Sequence, residues 1–189
     1  MVQRDDIVIV LDFLQHGHPN DRRPEPVAQV IGKNFFSLLE VVLRQDLTAK
    51  LGDELYIGEG RRENVDHIRG RIGANRLTAF ARAELPAIVE DIVNKNEQKF
   101  VDFFNKADSL TTRMHQLELL PAVGKKHMWD IIAERKKGPF KSFDDVKARI
   151  KLLQDPKGMI IKRIIEEIEN EDERYRAFVI GPPRREDEW

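Results

Sequence analysis

The stretch Leu119-Leu120-Pro121-Ala122-Val123-Gly124 carries almost no side-chain chemistry, yet Lys125, Lys126 and His127 follow it directly. Small residues let a backbone approach an anion closely, and the free N–H groups at a helix start converge on a phosphate. The pattern predicts a helix that ends near Leu120, a tight turn locked to the core by Val123, and a new helix from about Lys125. In that geometry the amides of Ala122, Val123, Gly124 and Lys125 contact phosphate. Lys125 and Lys126 add charge at the mouth, and His127 is a further donor.

This stretch resembles the helix-hairpin-helix motif, whose hairpin is usually Leu-Pro-Gly-hydrophobic-Gly; Ala122 stands at the first glycine. The likeness continues through "WDIIAERKKGPFKSFDDVKAR", which is similar to the second helix, the connection and the next helix start of tandem DNA-binding domains of this kind. Lys141 in that connection is a supporting cation, and Ser142 with Asp145 reads as a capping pair. A second hairpin then falls at "LLQDPKGMI" (152–160), where only Gly158 remains of the glycine pattern, and no binding is expected of it. In related hairpins the turn carbonyls hold a monovalent cation, which the resemblance implies here as well.

Charge segregation supports a polyanion contact. From Pro121 to Lys151 the basic residues are 125, 126, 135, 136, 137, 141, 147, 149 and 151, against acids at 130, 134, 144 and 145. The segment from Glu166 to Trp189 is predominantly acidic and, on the alternative reading of the chain as a scaffold, is the docking point for a basic protein partner. The whole chain has formal net charge -1, so attraction of nucleic acid must come from such local fields. A second basic run, "GEGRRENVDHIRGRIGANR" (58–76), offers Arg61, Arg62, Arg69 and Arg71, suited to bidentate phosphate contact at the rim of a barrel. The alternative for that run is a charged surface connection. Phe35, Phe36 and Tyr56 are the candidates for base stacking, with core packing expected for at least two of them.

"HGHPNDRR" (16–23) places His16 and His18 with Asp21 on a loop. Zinc needs more clustered ligands than the sequence supplies there, so the reading is a polar loop that touches phosphate through Arg22 and Arg23. No metal site and no catalytic residue is assigned, because no Ser/His/Asp arrangement can be drawn and the chain has no cysteine. Helix-hairpin-helix glycosylases carry an aspartate about twenty residues past the hairpin, and "FDDVKAR" (143–149) lies near that offset. The helical half is too small for their two-lobed base pocket, so glycosylase or nuclease activity is the lesser alternative.

The elements that must position these residues fall into two halves of an α+β chain. Over residues 1–76, "IVIVLDFL" (7–14), "VAQVI" (27–31), "FFSLLEVVLR" (35–44) and "ELYIG" (54–58) read as strands separated by turn signals, predicting a small barrel. From Leu77 the apolar spacing is helical, with Pro86 expected to start a new helix, and 159–171 forms a last amphipathic helix. The helical domain is set at 77–181, with its helix-hairpin-helix core at 109–170. "RAFVIG" (176–181) is expected to return to the barrel as an edge strand, and 182–189 to be a flexible tail. The 189 residues are 41% hydrophobic and 34% charged, enough for a packed core and a highly charged surface. The absence of cysteine fits a reducing cytoplasm, and no membrane span or signal peptide is read.

The order of barrel, basic run, helices, hairpin and final short strand is similar to an uncharacterised archaeal family. The matching phrases are "VLDFLQHGHPNDRR", "LGDELYIGEGRRENVDHIRGRI", "NKNEQKFVDFFNKA" and "TTRMHQLELLPAVGKKHMWDII". The resemblance implies an oligonucleotide-binding-like (OB-like) barrel joined to a helix-hairpin-helix domain. It further implies binding of RNA or DNA without catalytic residues. The alternative is a scaffold in a translation or repair complex, with the hairpin as packing.

Overall fold

The β-branched run that opens the chain forms β1 (Ile7–Leu14) in the computed structural model, which describes residues 4–181. It pairs with β2 (Val27–Gly32), which pairs with β3 (Leu38–Leu43); β4 (Glu54–Tyr56) lies beside β1 and β5 (Val65–Arg71) beside β3. Every pairing is antiparallel, so β1 and β3 run one way and β2, β4 and β5 the other. Val8, Val10, Val30, Leu39 and Val41 fill the core on one face. The opposite face is also covered, which explains the continuous apolar runs of β2 and β3.

The barrel expected over 1–76 is instead an open, curled half-barrel sheet, since no ladder joins β4 to β5 among the described residues. Their shapes account for this. β4 is three residues long, and β5 buries only Val65, so neither edge offers the other a matching apolar face. β3 also begins three residues later than expected. The buried Asp5 carboxylate accepts the N–H groups of Asn34 at 2.7 Å and Phe35 at 2.9 Å, bending the chain there into a turn. Gly32 is required beside it, because a Cβ would lie 1.8 Å from Asp5 Oδ2.

The helices are α1 (Ala79–Lys95), α2 (Glu97–Lys106), α3 (Lys125–Lys137), α4 (Phe143–Arg149) and α5 (Pro156–Glu169). Pro86 does not start a helix but lies inside α1. Its ring is on the exposed face, while Ala81, Leu85, Val89, Ile92 and Val93 form a buried stripe that continues through it. The stripe outweighs the one backbone bond that proline removes, and water can meet the freed carbonyl. A 3-10 helix over Gln116–Leu119 precedes the hairpin.

Residues up to Ile88 and those from Glu167 onward make one compact unit, and Val89–Glu166 a second. The divisions therefore fall inside α1 and α5 rather than after residue 76. Segment 176–181 belongs to the first unit but is not a strand. Glu167, fully buried, accepts the N–H groups of Ala177, Phe178 and Val179 at 2.7–3.0 Å, which takes the donors a ladder would need. Ile180 N–H donates to Phe35 O at 3.1 Å, outside any strand. Residues 182–189 lie outside the described residues. No helix of the described residues is long and apolar enough to cross a membrane.

Candidate nucleic-acid interface

The hairpin begins with Leu120, buried, whose carbonyl accepts the Val123 N–H at 3.2 Å. Between them Ala122 has φ +63°, the left-handed conformation that makes glycine the ordinary residue here. Val123 is buried and anchors the turn. Gly124 caps α3 without a side chain, and the N–H groups of Gly124, Lys125, Lys126 and His127 have no acceptor among the described residues. A Cβ at Gly124 would meet nothing within 4 Å, so the surface above these donors is open.

A second turn repeats this backbone thirty residues later. Ile150 O accepts the Leu153 N–H at 3.3 Å, Leu152 has φ +74°, and Leu153 is buried as Val123 is. The helix start that follows is different. Pro156 has no N–H, and the Asp155 carboxylate accepts the Gly158 N–H at 2.9 Å. Gly158 permits this, since its Cβ would fall 2.0 Å from Asp155 Oδ2. Two turns of one design therefore end in an open helix start and a plugged one.

The expected cations divide by what they already hold. Lys125 Nζ donates to Glu118 Oε2 at 2.8 Å and to Arg113 O at 2.7 Å, so its side chain braces the approach to the turn. That hydrogen bond, with a backbone N–H from His115, outweighs partial burial and holds the Glu118 carboxyl below its usual range. Lys126 and Lys141 are exposed, and their ammonium groups have no partner among the described residues. His127 Nδ1 lies 3.2 Å from Ala122 O, so one of the turn carbonyls that resemblance offers to a monovalent cation already has a donor. The capping pair is present: Ser142 Oγ accepts the Asp145 N–H at 3.0 Å, and Asp145 Oδ2 accepts the Lys141 N–H.

His115 caps the 3-10 helix, its Nδ1 accepting the Leu117 N–H at 3.1 Å while Glu118 returns to the His115 N–H at 2.9 Å. Burial first, and the Arg135 charge second, push the His115 ring below its ordinary value and keep it neutral.

In the other unit, the four arginines do not form one patch. Arg61 is exposed and unpaired among the described residues, whereas Arg62 Nε donates to Gly58 O at 3.1 Å. Arg71 donates to Gly181 O at 2.9 Å. Arg69 sits at a bulge in β5 and forks onto Asp21, at 2.9 and 2.6 Å. That fork, helped by the His18 N–H, holds the Asp21 carboxyl well below the usual carboxylate range. The run 58–76 is thus part loop and part strand, and β5 was not legible as a strand.

Sequence reasoning also missed a polar row across the sheet. Asp12 is registered with Gln29 and Gln29 with Glu40; Gln29 Nε2 donates to Glu40 Oε1 at 3.0 Å, and His18 Nε2 lies 2.7 Å from the same oxygen. Burial raises the Glu40 carboxyl, but the hydrogen bonds from Gln29 and His18 outweigh it and hold the group below its ordinary value. His18 is thereby committed to Glu40, and no group of three metal-ligating side chains gathers among the described residues. Of the stacking candidates, Phe36 is buried and Tyr56 is exposed, its hydroxyl donating to Glu59 O at 2.8 Å. Trp129, which the motif reading passed over, is 62% exposed on α3. A tryptophan flanked by Met128 and the Ile131-Ile132 pair reads as a core residue, which hid its exposure.

With this fold and hairpin in view, the chain belongs to the family described as "Protein of unknown function (DUF655)", whose model matches residues 4–180. It is 41% identical over 171 residues to the uncharacterized protein MJ0038 of Methanocaldococcus jannaschii, covering 90% of this chain and 77% of that one. The crystal structure of Af1531 from Archaeoglobus fulgidus, of the same family, is 50% identical and superposes with a TM-score of 0.82. It covers 93% of this chain and 100% of that one.

Proposed function

We propose that this protein binds nucleic acid, RNA or DNA, through its phosphate backbone and without regard to base sequence. The observation that carries the reading is the open start of α3. The N–H groups of Gly124 to His127 have no acceptors among the described residues and stand beside the unpaired Lys126, while the sister turn is closed by its own aspartate; Lys141, also unpaired, follows the far end of the helix. The turn is read as a helix-hairpin-helix with alanine in the left-handed position that glycine normally fills. The half-barrel is read as a relative of the OB-like barrel, a five-stranded and partly open design, with Arg61, Arg22 and Arg23 as its available cations. Arg69 and Arg71 are held by Asp21 and Gly181 and are not counted among those cations.

The test is fluorescence anisotropy on single- and double-stranded RNA and DNA at low and physiological salt. Lys126→Glu with Lys141→Glu is expected to weaken binding at least ~10-fold on every sequence tried, because phosphate contacts carry no base information. A loss confined to one sequence, or parent binding indifferent to salt, would overturn the reading.

A further inference from the structure

We propose that Trp129 is a stacking platform for an unpaired base, so that the polymer held at the hairpin is single-stranded where it crosses α3. The inference rests on the phosphate-binding reading and adds the class of strand. At helical spacing Lys125, Lys126, Trp129, Ala133 and Lys136 share one exposed face. Lys126 and Lys136 are about 15 Å apart along the axis, and Trp129 lies between them. Ala133, one turn beyond the indole, is too small to cover it.

Charge complementarity names the occupant. Lys126 and Lys136 have no partner among the described residues, while the neighbouring acids Glu118 and Glu134 are already paired with Lys125, Lys137 and Arg149. Asp130, the next residue, points about 100° round the helix from Trp129. A large apolar ring between two free ammonium groups, next to open amides, suits a strand that offers phosphates and a bare base face together. Duplexes bury base faces in the stack and present only edges in their grooves. An indole on a convex helix meets a base face only where the base is unstacked.

The chain has two tryptophans, so Trp189→Phe makes Trp129 the sole indole. Full-length protein with that change would be titrated with a mixed-sequence single-stranded RNA, its DNA counterpart and the two matching duplexes. Single strands are expected to quench the Trp129 emission. Adding Trp129→Ala is expected to lower single-strand affinity roughly 5- to 150-fold and duplex affinity less than about 2-fold, with Trp129→Phe retaining most of the binding. Salt-sensitive binding that survives Trp129→Ala without quenching in the parent overturns the platform and leaves the phosphate grip standing. Equal losses on single strands and duplexes overturn the strand preference. No binding of any polymer by the parent removes the phosphate grip, and the platform with it.

Discussion

Ala122 and Leu152 hold left-handed backbone, at φ +63° and +74°, without being glycine. For an L-residue that conformation costs about 1–2 kcal/mol, against about 0.5–1 kcal/mol that glycine loses in chain entropy. Leu152 is 72% exposed, so little burial is lost with its side chain. Leu152→Gly is therefore expected to raise stability by up to about 1 kcal/mol, read as a higher urea midpoint with an unchanged slope. Legibility at this scale was uneven. Ala122 could be placed because it interrupts a known glycine pattern, whereas a leucine gives no sign of a left-handed turn. The Lys125–Glu118 pair was hidden too, since two charges seven apart meet only when a turn folds one over the other.

Elements were legible where burial and periodicity agree. β1 to β3 read as strands because both faces are covered, and α2 because Phe100, Val101 and Phe104 fall on one side. β5 was not, because an edge strand exposing His67, Ile68, Arg69 and Arg71 has the composition of a loop and is made a strand only by β3. The 3-10 helix ahead of the hairpin depends on a neutral imidazole. In the folded protein the His115 value lies below the ordinary 6.5, so the unfolded chain takes up the proton first as pH falls. The stabilisation is complete above about 6.5 and is lost below it, toward the folded value. His115→Asn keeps a capping oxygen without a titrating ring. That variant is expected to remove the dependence of unfolding midpoint on pH in this window, with the carboxylate-driven loss at lower pH unchanged.

Across the whole molecule, a net charge of -1 gives no long-range pull on a polyanion. At the hairpin, binding would have to arise from the lysines of 125–151 without a partner among the described residues, Lys126, Lys136, Lys141, Lys147 and Lys151. About three or four phosphates neutralised would give a slope of log affinity against log salt between about -2 and -4. A steeper slope would require cations outside that segment, such as Arg22, Arg23 and Arg61, to engage phosphate as well. Domain limits were the least legible feature at this scale. Composition changes near residue 76, but the compact units divide within α1 and α5, and the chain returns to the first unit from Glu167 on.

On the proposed reading, Asp155 and Pro156 leave the chain with two turns of one shape but one place for a phosphate. Its valence toward a polyphosphate would then be one at this domain: such a molecule would mark a strand without bridging two. Opening the second turn, by Asp155→Gly with Pro156→Lys, would be the shortest route from a tether to a staple.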